Sequence, residues 1–269
     1  TGALALQLLD SLGDAVARYT IIDLSGTLRA RQADTLAPHA HKVRWLDAWP
    51  EVIEGVVVGN EVLDAMPVQL LQRTGGVWHE RGVVSAGEKF AWQDRPTDFR
   101  PPLEIEGEHD YLTEIHPQAE AFIASLAERL QAGRGGAAFF LDYGFPEAEY
   151  FHPQRHMGTV MCHQLHQADA DPLVAVGQKD ITAHVNFTGV ALAAQNAGLD
   201  VLGYTSQAWF LLNLGLGERM AEASLAERSQ AQRLVNEHEM GELFKVIGLA
   251  TSGDWAAQGF DRGDRSHRL

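Results

Sequence analysis

The chain carries a single cysteine, Cys162. With no second thiol to pair with it, an internal disulfide framework is excluded, and packing and hydrogen bonds must hold the fold. Basic residues are scarce, 21 Lys and Arg against 36 Asp and Glu for a net charge of -15. A surface of that sign repels a nucleic-acid backbone or an anionic membrane, so neither is expected as a partner. No apolar run reaches the roughly 18 residues of a membrane-crossing helix, so membrane insertion is not expected. There is no G-x-S-x-G elbow to present a nucleophilic serine, and Gly133-Arg134-Gly135-Gly136 lacks phosphate-loop spacing. What is present is 269 residues with 45% apolar content, enough to bury a sizeable core. The expectation is a soluble, cytoplasmic α/β protein.

Periodicity gives the organisation. Thr1–Gly13 (TGALALQLLDSLG) places Leu4, Leu8 and Leu12 on one helical stripe, with Gly13 as the stop. YTIIDL (19–24) reads as a buried strand ending at Asp23, and Ser25 can cap the helix TLRARQADTL that follows. Further short strands are predicted over 42–46, ending at Asp47, and 55–59, ending at Asn60. Strands separated by helices predict a parallel, doubly wound sheet. Residues 69–93 carry Gly75-Gly76 and a second turn near Ala86-Gly87, the pattern of an inserted antiparallel hairpin or meander, bounded as 68–95. Residues 95–108 connect it to an amphipathic helix over 117–132, then a buried strand over 137–141 running into Asp142-Tyr143-Gly144. Residues 145–178 lack periodicity and read as a long loop or lid. A helix over 180–197, a strand over 200–205, a helical insertion over 207–240 broken near Gly215 and Gly217, and a last strand over 244–250 complete the reading as one domain.

Acidic and amide side chains at the ends of parallel strands lie where ligands of open α/β sheets bind. Asp23 and Asp47 can accept hydrogen bonds from a nucleoside, or Asp23 can simply complement a helix dipole. A helix that starts at residue 3 with no strand before it, preceded only by Thr1-Gly2, predicts that a longer protein supplies a central strand and a glycine-rich turn ahead of it. GVVVGNEVLDAMPV (55–68) leads from an apolar strand into Asn60, Glu61 and Asp64. If one helical turn follows Gly59, the i to i+3 spacing puts Glu61 and Asp64 on one face, and Pro67 keeps that turn short. Alternatively, Asn60 caps the turn and the acids only complement its dipole. His152, His156, Cys162, His163 and His166 are donor types suited to zinc, but HPQRH and CHQLH do not have structural-zinc spacing, so no metal is expected.

SGTLRARQ (25–32), NEVLDAMPV (60–68), DYGFPEAEYFHPQRHMGTVMCHQLH (142–166), DPL (171–173), DITAHVNF (180–187) and MGELFKV (240–246) together resemble the MidA-like S-adenosylmethionine-dependent methyltransferases. This family includes the mitochondrial arginine methyltransferase acting in assembly of respiratory complex I. The resemblance implies a class I methyltransferase fold, a doubly wound seven-stranded sheet with family insertions, and S-adenosylmethionine as cofactor. Gly2 then matches the last glycine of the cofactor turn, Asp23 the ribose-binding acid and Asp47 the position beside adenine. Asn60 and Glu61 match the motif after the fourth strand. The E-x-G-x-G-x-G turn itself is not in the chain.

The leading expectation is therefore methyl transfer to a nitrogen of a protein substrate, arginine by resemblance, with a respiratory-complex subunit as a candidate acceptor. Glu61, Asp64 and Asp142 are the candidate catalytic acids, because carboxylates can bind and localise a guanidinium charge. Tyr143, His152 and His184 are the candidate substrate-binding residues, the histidine-rich loop bordering the acceptor site. A homodimer is compatible with this reading, and a eukaryotic member would sit in the mitochondrial matrix. Two alternatives stay open: a scaffold that keeps the fold without turnover, and a nicotinamide-dependent oxidoreductase, against which the missing Tyr-x-x-x-Lys pair counts.

Overall fold

Gly2 adopts a left-handed backbone, φ +86°, and leads the chain into helix α1 (Ala3–Leu12). The computed structural model describes residues 1–164 and 167–269. The chain divides into two compact units, Thr1–Val52 and Ile53–Leu269. In the first, α1 is followed by strand β1 (Tyr19–Ile22), helix α2 (Gly26–Thr35) and strand β2 (Val43–Leu46). β1 and β2 pair in parallel, Tyr19 opposite Val43 and Ile22 opposite Leu46. Ser25 caps α2 as its sequence position predicts, its hydroxyl accepting the Leu28 N–H at 3.3 Å.

Two expectations fail in this unit. The apolar stripe of α1 is not Leu4, Leu8 and Leu12: Leu4 and Leu12 are exposed, and Ala5 and Leu9 pack with Leu36 in the core. With apolar residues at positions 3 to 6, 8, 9 and 12, the helix is apolar around most of its girth, so periodicity cannot choose the buried face. The strand β1 is also only partly buried and ends at Ile22.

The second unit opens with strand β3 (Gly55–Asn60) and then the four strands β4 (Gln69–Thr74), β5 (Val77–Ala86), β6 (Lys89–Pro96) and β7 (Tyr111–Ile115). These four form an antiparallel sheet in the order β6-β5-β4-β7. The predicted insertion is present, but it runs further than residue 95 because β7 returns to pair with β4. Helix α3 (Pro117–Gln131) buries Ala119, Ile123, Leu126, Ala127 and Leu130, an i, i+3/i+4 stripe. Burying each of its larger aliphatic side chains contributes roughly 1.5–3 kcal/mol.

Strand β8 (Gly136–Phe145) pairs in parallel with β3 and continues four residues past the predicted end, so Asp142 lies within the strand. Beyond it come helix α4 (Glu147–Tyr150) and the strands β9 (Met161–Gln164), β10 (Gln167–Asp169), β11 (Asp180–Thr182) and β12 (Val185–Asn186). Strands β9 and β10 lie inside the segment read as a loop and form a small antiparallel sheet with β11, which follows it. Short mixed strands without strict alternation leave no clear period for a sequence reading.

The predicted helix over 180–197 proves to be β11, β12 and then helix α5 (Phe187–Asn196), capped by Asn186 accepting the Gly189 N–H at 3.2 Å. Strand β13 (Asp200–Ser206) leads into the helices α6 (Gln207–Asn213), α7 (Leu216–Glu222), α8 (Leu225–Val235) and α9 (Met240–Leu243). The fully buried strand β14 (Phe244–Ala250) closes the sheet, antiparallel to both β8 and β13. β3, β8, β14 and β13 are adjacent in that order, and β12 joins the end of β8. Among the described residues β3 pairs only with β8, and its Val56 and Val58 are exposed. No helix is long and apolar enough to cross a membrane among the described residues.

Candidate active site

In the first unit, Gln32 and Arg29 on α2 fix the strand ends. Asp23 Oδ1 accepts the Ser25 N–H at 2.9 Å and Oδ2 accepts Gln32 Nε2 at 2.7 Å. Gln32 Oε1 in turn accepts the indole N–H of Trp45 at 2.9 Å. Arg29 donates through Nε to the Asp23 carbonyl and through Nη2 to the Leu46 carbonyl at 2.6 Å, and it pairs with Asp47 at 2.8 Å. The Asp47 side chain is 86% exposed, so its second oxygen is open to a ligand. Asp23 uses one acceptor position per oxygen and keeps spare lone pairs for hydroxyl donors. A Cβ on Gly2 would lie 3.3 Å from the Gln32 Cα, in a backbone conformation that side chains disfavour. The spare acceptors of Asp23 and the exposed Asp47 carboxylate can receive the hydroxyl and amine donors of a nucleoside.

In the second unit, the acids after β3 do not share a helical face. No helical turn forms: Glu61 has φ +50°, the left-handed region, while its N–H donates to the Leu141 carbonyl at 2.9 Å. Glu61 is exposed and adjoins Asn60, whose amide donates to Glu61 Oε1 at 3.3 Å. Asp64 is instead turned inward and 3% exposed. The reversal at Glu61 separates the two side chains, a backbone state that i to i+3 spacing does not encode.

What holds this turn is Asp142. The alternation of β8 puts its side chain on the buried face, where Oδ2 receives the N–H groups of Val62, Leu63 and Asp64 at 3.1, 2.9 and 3.3 Å. Its neighbour Tyr143 points the other way and donates its hydroxyl to Asp64 Oδ2. Among the described residues, the buried Asp64 Oδ1 has no hydrogen-bond partner. The Tyr143 ring packs edge-on against His184 at 5.3 Å and Phe244 at 5.5 Å between centroids. The buried Nδ1 of His184 likewise has no partner among the described residues.

Burial dominates the electrostatics here. It raises the Asp64 carboxyl above the ordinary range, with the Tyr143 hydrogen bond pulling back. Burial, then the nearby charge of Asp64, pushes Asp142 up to about 7 despite its three N–H donors. The Tyr143 hydroxyl is raised by burial and by its bond to Asp64, and burial lowers His184 to about 4, so its ring is neutral.

The structure thus brings together Asp64, Asp142, Tyr143 and His184. His152 is exposed and bonded elsewhere, its Nδ1 accepting the Gln154 N–H and its carbonyl the Tyr111 hydroxyl. His166 lies outside the described residues, and among the described residues no three His, Cys, Asp or Glu side chains are grouped to hold a metal ion. Sequence reasoning missed Phe244 and the backbone of Ala183, whose N–H donates to the Asp64 carbonyl at 2.9 Å. It also missed Glu114, although an acid inside the apolar strand YLTEI was a visible signal.

A sheet in which β14 runs antiparallel between β8 and β13 is the arrangement of a class I methyltransferase-like fold. Residues 1–205 match the family described as "Putative S-adenosyl-L-methionine-dependent methyltransferase". The chain belongs to this MidA-like family. It is 47% identical to a Burkholderia thailandensis protein solved with S-adenosyl-homocysteine bound, at a TM-score of 0.91 over all of this chain and 74% of that one. A second Burkholderia thailandensis structure is 48% identical, at a TM-score of 0.92 over all of this chain and 76% of that one. Among curated proteins, the zebrafish (Danio rerio) mitochondrial protein arginine methyltransferase NDUFAF7 is 29% identical over 223 residues, 77% of this chain and 50% of the relative. The chain spans about half the length of the curated relatives it matches.

Proposed function

We propose that this chain belongs to an enzyme that transfers a methyl group from S-adenosylmethionine to a nitrogen of a protein substrate, arginine being the acceptor residue. The observation that carries the reading is Asp64: a buried carboxylate with one oxygen oriented by Tyr143 and the other unpartnered. In the first unit Gly2, Asp23 and Asp47 are the proposed cofactor contacts, and in the second Asn60 and Glu61. The cofactor, when bound, supplies an electrophilic sulfonium methyl.

The rest falls to the chain's own residues. Asp64 Oδ1 accepts an N–H of the guanidinium and takes the proton released as the new N–C bond forms, a task suited to a carboxyl whose proton affinity burial has raised. Tyr143 fixes the carboxylate's orientation, Asp142 holds the turn that carries it, and the neutral His184 packs edge-on against the Tyr143 ring. Such positioning accounts for most of the rate gain in a transfer of this kind. The named activity of the zebrafish relative supports arginine as acceptor. A respiratory-complex subunit as the substrate, cytoplasmic or mitochondrial-matrix location, and a homodimer remain part of the proposal.

Mass spectrometry of a cell extract incubated with the full-length enzyme and isotopically labelled donor tests it. Labelled methyl-arginine, lost in Asp64→Asn with cofactor affinity kept, is the expected result. Cofactor binding without transfer to any protein would favour a non-catalytic scaffold and overturn the reading.

A further inference from the structure

Glu114 on β7 is fully buried, and four donors converge on its carboxylate. Oε1 receives the N–H groups of Thr159 and Val160 at 2.7 and 3.1 Å, and Oε2 the hydroxyls of Tyr150 and Thr159 at 2.9 and 3.2 Å. His116 Nε2 lies 3.0 Å from the Tyr150 oxygen. Gly158, at φ +72°, lets the backbone wrap tightly, since a Cβ there would stand 2.5 Å from Glu114 Oε1. The segment around Thr159 is therefore tied to a carboxylate from the antiparallel sheet.

That tie reaches the residues around Asp64. The Thr159 hydroxyl oxygen accepts the His184 N–H at 3.1 Å, and the preceding N–H, of Ala183, donates to the Asp64 carbonyl at 2.9 Å. His184 then packs its ring on Tyr143, the residue that orients Asp64. We propose that Glu114 is a positioning residue: through Thr159 it sets where Ala183 and His184 stand against Asp64 and Tyr143. This rests on the assignment of Asp64 and Tyr143 to the acceptor site. The inserted sheet becomes, on this account, a bracket for that site.

The test uses the full-length protein with Glu114→Ala, Glu114→Gln and Thr159→Val. Thr159→Val keeps side-chain volume and both backbone donors to Glu114, and removes the hydroxyl that joins Glu114 Oε2 and the Tyr150 oxygen to the His184 N–H. Amide exchange at His184 should quicken about tenfold or more in Glu114→Ala and Thr159→Val. S-adenosyl-homocysteine affinity should hold while turnover falls at least about tenfold. Glu114→Gln, which keeps one carbonyl oxygen for the backbone donors, should recover most of both losses. The double variant Glu114→Ala/Thr159→Val should lose little more than the worse single one, as for residues acting through one link. Unchanged His184 exchange in Thr159→Val, or wild-type turnover in that variant, overturns the proposal. Should the wild-type enzyme show no methyl transfer, the proposed function fails and the exchange result alone decides the positioning role.

Discussion

Tyr143 and Asp142 are neighbours on β8 whose side chains leave the strand on opposite faces, yet both act on the segment that follows Glu61. Asp142 gathers the N–H groups of Val62, Leu63 and Asp64, and Tyr143 bonds the Asp64 carboxylate. One strand thus fixes both the backbone and the side chain of the candidate acid. Disturbing either bond should have separable effects on stability and on chemistry.

Tyr143→Phe removes the hydrogen bond that the Tyr143 hydroxyl donates to the Asp64 carboxylate and leaves that buried group poorly satisfied. The expected cost is about 1–3 kcal/mol of stability. Turnover should fall further than cofactor affinity, because Asp64 loses its orientation. Denaturant unfolding together with calorimetry of S-adenosyl-homocysteine binding checks this. Equal loss of binding and turnover would assign Tyr143 to the cofactor instead.

Asp142 gives a stability term with a definite sign. Its folded pKa of about 7 exceeds the ordinary carboxylate value, so between about pH 4 and 7 the native state holds a proton that the unfolded state has released. Its contribution therefore declines as pH rises through that window and levels off above it. Asp142→Asn, which can still accept the three backbone N–H groups, should flatten this decline in a series of unfolding midpoints. A pH dependence identical to wild type would mean that Asp142 is ionised throughout.

His116 acts in the opposite sense. Burial lowers it to about 4, so as pH falls from about 6.5 to 4 the unfolded state takes up a proton first and stability is lost. His184, lowered to the same value, adds to the loss. His116→Gln should reduce the fall in melting temperature between about pH 6.5 and 4, a window in which the Asp142 contribution runs in the opposite direction. An unchanged acid limb would show that His116 titrates normally.

Glu61 holds a left-handed backbone that glycine adopts freely. Glu61→Gly should relieve on the order of 1 kcal/mol of strain, partly offset by the entropy of a new glycine, so stability should stay level or rise slightly. Cofactor binding and turnover should fall if the carboxylate is used in either. A variant as active as wild type would make Glu61 a turn residue only.

The strands β1, β2, β3, β8, β13 and β14, the Ser25 cap, the β insertion and the acids at the strand ends follow from local chemistry that the sequence displays: period, turn glycines, caps and apolar runs. By itself it determined that parallel strands carry Asp23, Asp47 and Asn60 at their ends, that Gly75-Gly76 reverses the chain, and that α3 buries one stripe. It could not choose the buried face of α1, because leucines nearly encircle that helix. Nor could it show that Glu61 turns out while Asp64 turns in. That choice is made by Asp142, some 80 positions along the chain, whose carboxylate gathers three backbone donors and bends the turn around itself. The Glu114 bracket is likewise a product of tertiary contact, since a carboxylate can be satisfied by four donors only after strands distant in sequence are brought together. Local pattern sets which elements form; the need to satisfy buried charge sets which side chains meet.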